Sequence, residues 1–330
     1  MKQNAPDATG YRWPAPAKLN LFLHVTGRRP DGYHTLETIF QFLDFADEVT
    51  LRTRKDGEIR LVSDLPNVPP EQDLVIRAAR TLKSVTGTPL GVDIGVTKRI
   101  PMGGGLGGGS SDAATTLVGL NHTWELGLDV ETLAGIGLAL GADVPVFTRG
   151  EAAFASGVGE HLTPIALEEP WYLVIYPNCP VATGEIFNAP DLTRATLPIR
   201  IPAPLGSEPA DGAASPSLSW LLAQTGNDCE TVARTRYPEV NAALEWLSEF
   251  GPARMTGTGS CVFAPFQRIE EAERILSRLP NKRKSEDNGK GTPRTEGWFG
   301  FVARGLNRSP LFAQGPWEFA EGLPQGAGMG

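Results

Sequence analysis

Six glycines within seven residues, Gly103-Gly104-Gly105-Leu106-Gly107-Gly108-Gly109, constrain this chain more than any other stretch. They follow a strand pattern at Gly91–Thr97 and Pro101-Met102, and they run into Ser110-Ser111 and a helical sequence reaching about Glu125. Glycine lets the backbone turn its N–H groups inward and lets a bulky anion approach without a Cβ clash. The helix that follows adds unsatisfied N–H groups and the positive end of its dipole, and the two serines add hydroxyls. A Walker A loop is excluded because no Lys follows the last glycine. Gly103, Gly105 and Gly108 match a dinucleotide fingerprint in spacing, yet Lys98, Arg99 and Pro101 separate them from the strand that should feed such a loop directly. A flexible linker would not open straight into a helix. An anion-holding loop fits best.

Composition narrows the partners of that loop. The chain has 330 residues with a formal net charge of −8, which argues against a general nucleic-acid binder. No segment holds the roughly 20 consecutive apolar residues of a membrane span, and the N-terminus lacks the apolar run of a signal peptide, so a cytoplasmic protein is expected. Cys179, Cys229 and Cys261 are scattered and odd in number. They and the four histidines show neither a disulfide framework nor metal-ligand spacing, and no protein metal site is expected.

Strand patterns occur at 16–25, 39–45, 48–53, 59–62, 91–97, 171–176, 261–266 and 298–304. Helical spacing occurs at 74–85, 130–140, 228–236, 238–250 and 270–278. The grammar restarts after position 165, which predicts two domains, 1–165 holding the anion loop and 166–330 on the substrate side. Residues 203–217 are rich in Pro, Ala, Gly and Ser. The polar stretch 281–296 reads as a flexible insertion, and the tail from about 315 reads as loose. Arg254-Met255-Thr256-Gly257-Thr258-Gly259-Ser260 forms a second glycine-rich turn.

Several side chains invite chemical roles while leaving bland ones open. Asp143, in Gly141-Ala142-Asp143-Val144-Pro145, lies past a helix end among apolar neighbours, where it is either a turn or helix cap or a carboxylate with a task. Lys18 lies between apolar strand residues; it points either to solvent or inward to a counter-charge. Asn20 shares its face. Tyr33-His34 follows the Asp31-Gly32 turn and is either ordinary packing or a ring and an imidazole offered to a nucleotide base. Asp112 reads as a helix-start residue rather than a metal ligand.

Pro101-x-Gly-Gly-Gly-Leu-Gly-Gly-Gly-Ser-Ser-Asp resembles the phosphate loop of the galactokinase–homoserine kinase–mevalonate kinase–phosphomevalonate kinase (GHMP) superfamily. Pro16-Ala17-Lys18-Leu19-Asn20-Leu21 and Met255-Thr256-Gly257-Thr258-Gly259-Ser260-Cys261 resemble its other two motifs, in the expected order. Further runs resemble the branch that phosphorylates a cytidine-diphosphate-linked methylerythritol. These are Arg29-Pro30-Asp31-Gly32-Tyr33-His34-Thr35-Leu36, Leu140-Gly141-Ala142-Asp143-Val144-Pro145-Val146-Phe147 and Phe301-Val302-Ala303-Arg304-Gly305-Leu306-Asn307-Arg308-Ser309-Pro310. The resemblance covers roughly residues 15–311 and departs at 281–296 and in the tail.

The resemblance implies an α+β fold of two domains, a ribosomal-protein-S5-like nucleotide-binding domain followed by a ferredoxin-like one, with the active site between them. It implies a kinase using ATP with Mg²⁺ on a small alcohol, in the non-mevalonate isoprenoid pathway, as a monomer or weak homodimer. Lys18 and Asp143 become catalytic. Pro101, Gly103, Gly104, Gly105, Leu106, Gly107, Gly108, Gly109, Ser110, Ser111, Gly257 and Gly259 become ATP-binding, with Ser111 the protein contact nearest the metal. Asn20 bonds the acceptor hydroxyl or the Asp, Tyr33 and Phe187 sandwich the cytosine, His34 bonds its edge, and Thr183 lies near the sugar or diphosphate. A sister kinase for another small alcohol, or a non-catalytic nucleotide-binding relative, are the alternatives.

Overall fold

A 21-residue strand, His34–Arg54, organises the molecule. The structure, a computed structural model, describes residues 10–63, 69, 71–199, 217–280 and 297–312, and the backbone of 319–320. The expected insertion at 281–296, residues 203–216 of the Pro/Gly/Ser-rich stretch and most of the expected tail lie outside the described residues.

The elements run β1 (Gly10–Arg28), β2 (His34–Arg54), β3 (Ile59–Leu61), α1 (Leu74–Thr86), β4 (Gly91–Thr97), α2 (Gly108–Thr123), α3 (Val130–Leu138), α4 (Val144–Arg149), β5 (Ala153–Ser156) and β6 (His161–Pro164). There follow β7 (Trp171–Tyr176), α5 (Thr183–Phe187), α6 (Leu218–Gln224), α7 (Asp228–Arg236), α8 (Pro238–Ser248), β8 (Arg254–Met255), β9 (Val262–Phe266), α9 (Ile269–Leu276), β10 (Phe299–Leu306) and β11 (Phe319–Ala320). The short elements α4, β5, β6, α5, α6 and β8 carried no readable period, since under two helical turns, or four strand positions at most, leave too little pattern to count.

Two strands were expected where β2 runs unbroken. The expected break fell at Ala46-Asp47, but Asp47 Oδ1 accepts the N–H groups of Arg99 and Ile100 at 2.5 and 2.7 Å, and its Oδ2 pairs with Lys98. Fully partnered, the carboxylate is tolerated inside the strand. β2 then serves four neighbours. It pairs along its length with β1, near its end with β4, near its start with β5, and at Phe42–Leu43 with β10. β10 also pairs with β7, which continues through β9 to β8, so one mixed sheet crosses both halves of the chain.

Three apolar clusters cover this sheet. Val75, Ala79 and Leu82 of α1 and Ala114 and Leu117 of α2 pack on Leu51 and Ile94. Val232, Val240, Leu244 and Ile275 of α7, α8 and α9 pack on Leu173 and Val262. Between them Leu19, Leu21, Leu43, Tyr172, Val174, Phe263 and Phe301 form a third cluster that joins the halves. Among the described residues no helix is long and apolar enough to cross a membrane.

Candidate active site

Register places the first functional pair. β1 and β2 slip between Pro16 and Lys18 and again after Asn20, but Lys18, Leu19 and Asn20 face Phe42, Gln41 and Phe40 in order. That short regular stretch keeps Lys18 and Asn20 on one face, and the irregularities on each side re-aim it. The Lys18 side chain is 3% exposed. Its ammonium bonds Asn20 Oδ1, reaches Gly105 O at 3.2 Å and lies 5.2 Å from the centre of the Phe40 ring. Asn20 is held in turn, its Nδ2 donating to Thr38 and its backbone N to Thr256 Oγ1 at 2.8 Å.

Asp143 occupies the N-cap position of α4, yet its side chain makes no capping bond. Pro145 in the first turn lacks an N–H and lowers the demand for a cap. Oδ2 lies 3.2 Å from Lys18 Nζ instead. Of the two roles open to Asp143, the geometry selects the ion pair. The carboxylate is 36% exposed and faces the cleft, so this is a pair with one buried and one open partner.

The glycine run builds the cleft wall. Gly103, Gly105 and Gly107 each adopt positive φ, near +70°. A Cβ on Gly105 would sit 2.3 Å from Thr256 O, and one on Gly107 would meet the Phe147 ring at 2.8 Å and Lys18 Cε at 3.0 Å. The alternation turns the loop back on itself and seats it on the second glycine-rich turn, where Cys261 N donates to Gly104 O at 3.0 Å and Ser260 N to Gly103 O at 3.3 Å. Asn227 braces that turn by donating to the carbonyls of Met255 and Gly257, both at 2.8 Å. α2 begins at Gly108, two residues earlier than expected, with Gly107 as its N-cap. The first helical bond is Ser111 N to Gly107 O, so the N–H groups of Gly108, Gly109 and Ser110 precede the ladder at the cleft wall.

The serines divide. Ser110 lines the cleft, and its Oγ would lie 3.8 Å from a Cβ on Gly141, beside the turn that carries Asp143. Ser111 is fully buried, its hydroxyl without a partner among the described residues. Ser111, expected as the protein contact nearest the metal, thus lies in the core, and Ser110 is the serine at the cleft wall.

Lys98 also lines the cleft, shared between Asp47 and Asp112. Burial works against its charge, but Asp112 and Asp47 more than offset this and raise its pKa. Burial pushes the Asp112 carboxyl up to about 7, against the pull of Lys98. Asp112 thus tethers a cation at the helix start.

The cleft encloses about 620 Å³, within the usual range of a small-molecule site, and runs from the glycine loop past Asp143 to Thr183 and Phe187 of α5. Thr183 Oγ1 is 3.1 Å from Thr258 Oγ1, so α5 is tied to the second glycine turn. Gly257 lines the cleft; Gly259 lies behind it. At the far end the His34 ring stacks on Phe187 with centroids 5.2 Å apart. Tyr33 stands apart, 65% exposed at the tip of its turn. The glycine turn at 157–159 between β5 and β6 forms another wall, and its Gly157 O accepts Leu36 N at 2.7 Å. Asn227, Lys98 and this turn had no signal in their local sequence. Thr256 alone sat inside a motif already singled out.

Known proteins match this arrangement. The GHMP kinases N terminal domain family matches residues 73–151, and the GHMP kinases C terminal family matches 213–285. The 4-diphosphocytidyl-2-C-methyl-D-erythritol kinase of Pseudomonas savastanoi pv. phaseolicola is 52% identical over 299 residues, 90% of this chain and 93% of that one. Its counterpart in Pseudomonas aeruginosa is 53% identical over 298 residues, covering 90% and 95%. The chain belongs to the 4-diphosphocytidyl-2-C-methyl-D-erythritol kinase family of the GHMP kinases. A crystal structure of 4-(cytidine 5'-diphospho)-2C-methyl-D-erythritol kinase superposes with a TM-score of 0.68 at 31% identity, covering 89% of this chain and 99% of that chain. Methanococcus jannaschii mevalonate kinase shares the fold at a TM-score of 0.62 and 16% identity, covering 92% of this chain and 100% of that chain. As a GHMP kinase the chain is an ATP-dependent phosphotransferase with an alcohol as acceptor, built on the two-domain α+β fold that the resemblance implied.

Proposed function

We propose that this kinase moves the γ-phosphate of ATP onto the 2-hydroxyl of 4-diphosphocytidyl-2-C-methyl-D-erythritol. The Lys18–Asp143 pair carries the reading, because it puts a carboxylate and a cation at the mouth of a helix N-terminus built to hold phosphate. Phosphoryl transfer needs positioned charge more than covalent chemistry from the protein. Asp143 Oδ1 or Oδ2 takes the proton of the acceptor hydroxyl as the oxygen attacks. Lys18, fixed by Asn20 and Gly105 O, orients Asp143 and faces the negative charge on the transferred group. The N–H groups of residues 108–110 and Lys98 hold the ATP phosphates, and the turn at Gly257 closes over them.

The described residues contain no cluster of three or more His, Cys, Asp or Glu able to hold a metal. A Mg²⁺ arriving with ATP would fit this donor set only with the Ser110 hydroxyl and the phosphates supplying most of its shell, and would neutralise phosphate charge there. At the other end Phe187 and Tyr33 offer faces to the cytosine and His34 offers an edge, with Thr183 near the diphosphate. Residues 1–165 form the ATP half and 166–330 the substrate half. The enzyme acts on a small molecule, without nucleic acid or membrane, in the cytoplasm, as a monomer or weak homodimer.

ADP release should be followed with Mg·ATP and the cytidyl substrate, with homoserine and mevalonate as parallel acceptors. Turnover confined to the cytidyl compound is expected. Turnover on another acceptor alone would retain the kinase and remove the base pocket.

A further inference from the structure

The His34 imidazole is fixed by a residue the catalytic reading does not use. His34 opens β2, is 8% exposed and stacks on Phe187. Its Nε2 lies 3.0 Å from Arg194 Nε, with the guanidinium donating. A guanidinium has no acceptor, so this bond requires a lone pair on Nε2. The single N–H of the neutral ring is then on Nδ1, which no described residue engages. The rest of the Arg194 fork is spent on the turn that carries Phe187. It donates to Leu192 O at 3.1 Å, Phe187 O at 2.9 Å and Ala189 O at 2.6 Å. One side chain thus ties the imidazole from β2 to the ring at the end of α5. Burial, then the guanidinium groups of Arg194 and Arg28, hold the His34 pKa below its ordinary value, in keeping with a neutral ring.

We propose that Arg194 is a positioning residue for base recognition: it locks His34 against Phe187 as the neutral, Nδ1-protonated tautomer, so that the pocket presents a donor and selects cytosine over uracil. Cytosine N3 is an acceptor, whereas uracil N3 carries a hydrogen that would oppose Nδ1–H. A site that meets a substrate with a matched polar group discriminates more strongly than one that only fills space. The inference rests on the reading of His34 as the residue that faces the base edge. Arg194 touches no reacting atom; it acts through His34.

The test is Arg194→Met and His34→Ala in the full chain, each assayed with the cytidyl substrate and with its uridyl analogue. Imidazole nitrogens are followed by ¹⁵N–¹H long-range correlation spectra. Arg194→Met should raise KM for the cytidyl substrate about tenfold, the equivalent of about 1.4 kcal/mol, with kcat and KM for ATP within about twofold. Its preference for cytidyl over uridyl substrate should fall at least as far, and His34 should shift toward the Nε2–H form. Parent-like selectivity and an unchanged tautomer in Arg194→Met, alongside a damaged His34→Ala, overturn the role of Arg194 alone. If His34→Ala also keeps normal KM and selectivity, the base-reading role of His34 is what fails. Should Arg194→Met not fold, Arg194→Lys keeps the charge but cannot span all four acceptors, and it carries the same two readouts.

Discussion

The two ends of the cleft are built by different means. At the glycine-loop end the wall is mainly backbone: alternate glycines at positive φ, a helix N-terminus, and a second turn hydrogen-bonded to the first. At the far end it is built from side chains of separate elements, with His34 of β2 stacked on Phe187 of α5 and Tyr33 exposed on the turn before β2. Phosphate is the same in every ATP and rewards a rigid cradle whose dipoles need not move during transfer. A base must be told from other bases, which takes side-chain donors and rings that can differ between relatives. The mevalonate kinase shares the fold at 16% identity.

Substitutions at five positions would break or sharpen that contrast. Asp143→Ala is expected to lower kcat by about 10²–10⁴-fold while ATP still binds, measured by ADP release and by calorimetric titration of ATP. Lys18→Met should cost nearly as much, and the double variant little more than either, because the two act as one unit. Parent-like turnover in Asp143→Ala would remove the catalytic centre from this end of the cleft.

Gly105→Ala comes next. A Cβ 2.3 Å from Thr256 O at φ +77° must force the two glycine turns apart. The backbone penalty is about 1–3 kcal/mol, so KM for ATP should rise by roughly tenfold or more while KM for the cytidyl substrate moves little. Equal changes in both would show that the two ends are not separate.

Tyr33→Ala should raise KM for the cytidyl substrate about tenfold, the lower part of what a stacked base is worth, and Tyr33→Phe should change it little. Equal effects of Ala and Phe would count against stacking.

Asp112→Asn carries the smallest effect. The folded-state carboxyl is raised to about 7 from 3.8, so the folded protein keeps a proton that the unfolded chain gives up, and stability falls as pH rises across that window. The amide removes this dependence. Its Tm should gain on that of the parent between pH 5 and pH 8, by about 1–3 °C at the upper end, in thermal melts at matched ionic strength. A constant difference across that range would mean that Lys98 keeps Asp112 ionised throughout.

Part of this contrast is legible in the amino-acid sequence. The phosphate end is encoded within one run of residues, since glycine content, the missing Lys and the helix that follows are all local. Strands 91–97 and 171–176 and helix 228–236 fell where periodicity put them. The far end was visible from its own residues only as a Tyr-His pair with two meanings, Phe187 and Thr183 coming with the resemblance, and Arg194 was not visible at all, lying 160 positions from its partner His34. The same distance effect hid the continuity of β2, because Asp47 finds its donors about fifty positions along the chain.

The amino-acid order alone therefore determined an anion-holding glycine loop at a helix start, two apolar-rich halves and a short set of candidate polar residues. Each of those follows from backbone freedom and side-chain period over a few neighbouring residues. The Lys18–Asp143 pair followed from the resemblance and not from local residue order, and tertiary structure alone decided that Ser110 and not Ser111 faces the cleft and that His34 hands its Nε2 to Arg194. A charge or a hydrogen-bonding nitrogen takes its role from what packs against it, and that neighbour is chosen by the fold of the whole chain.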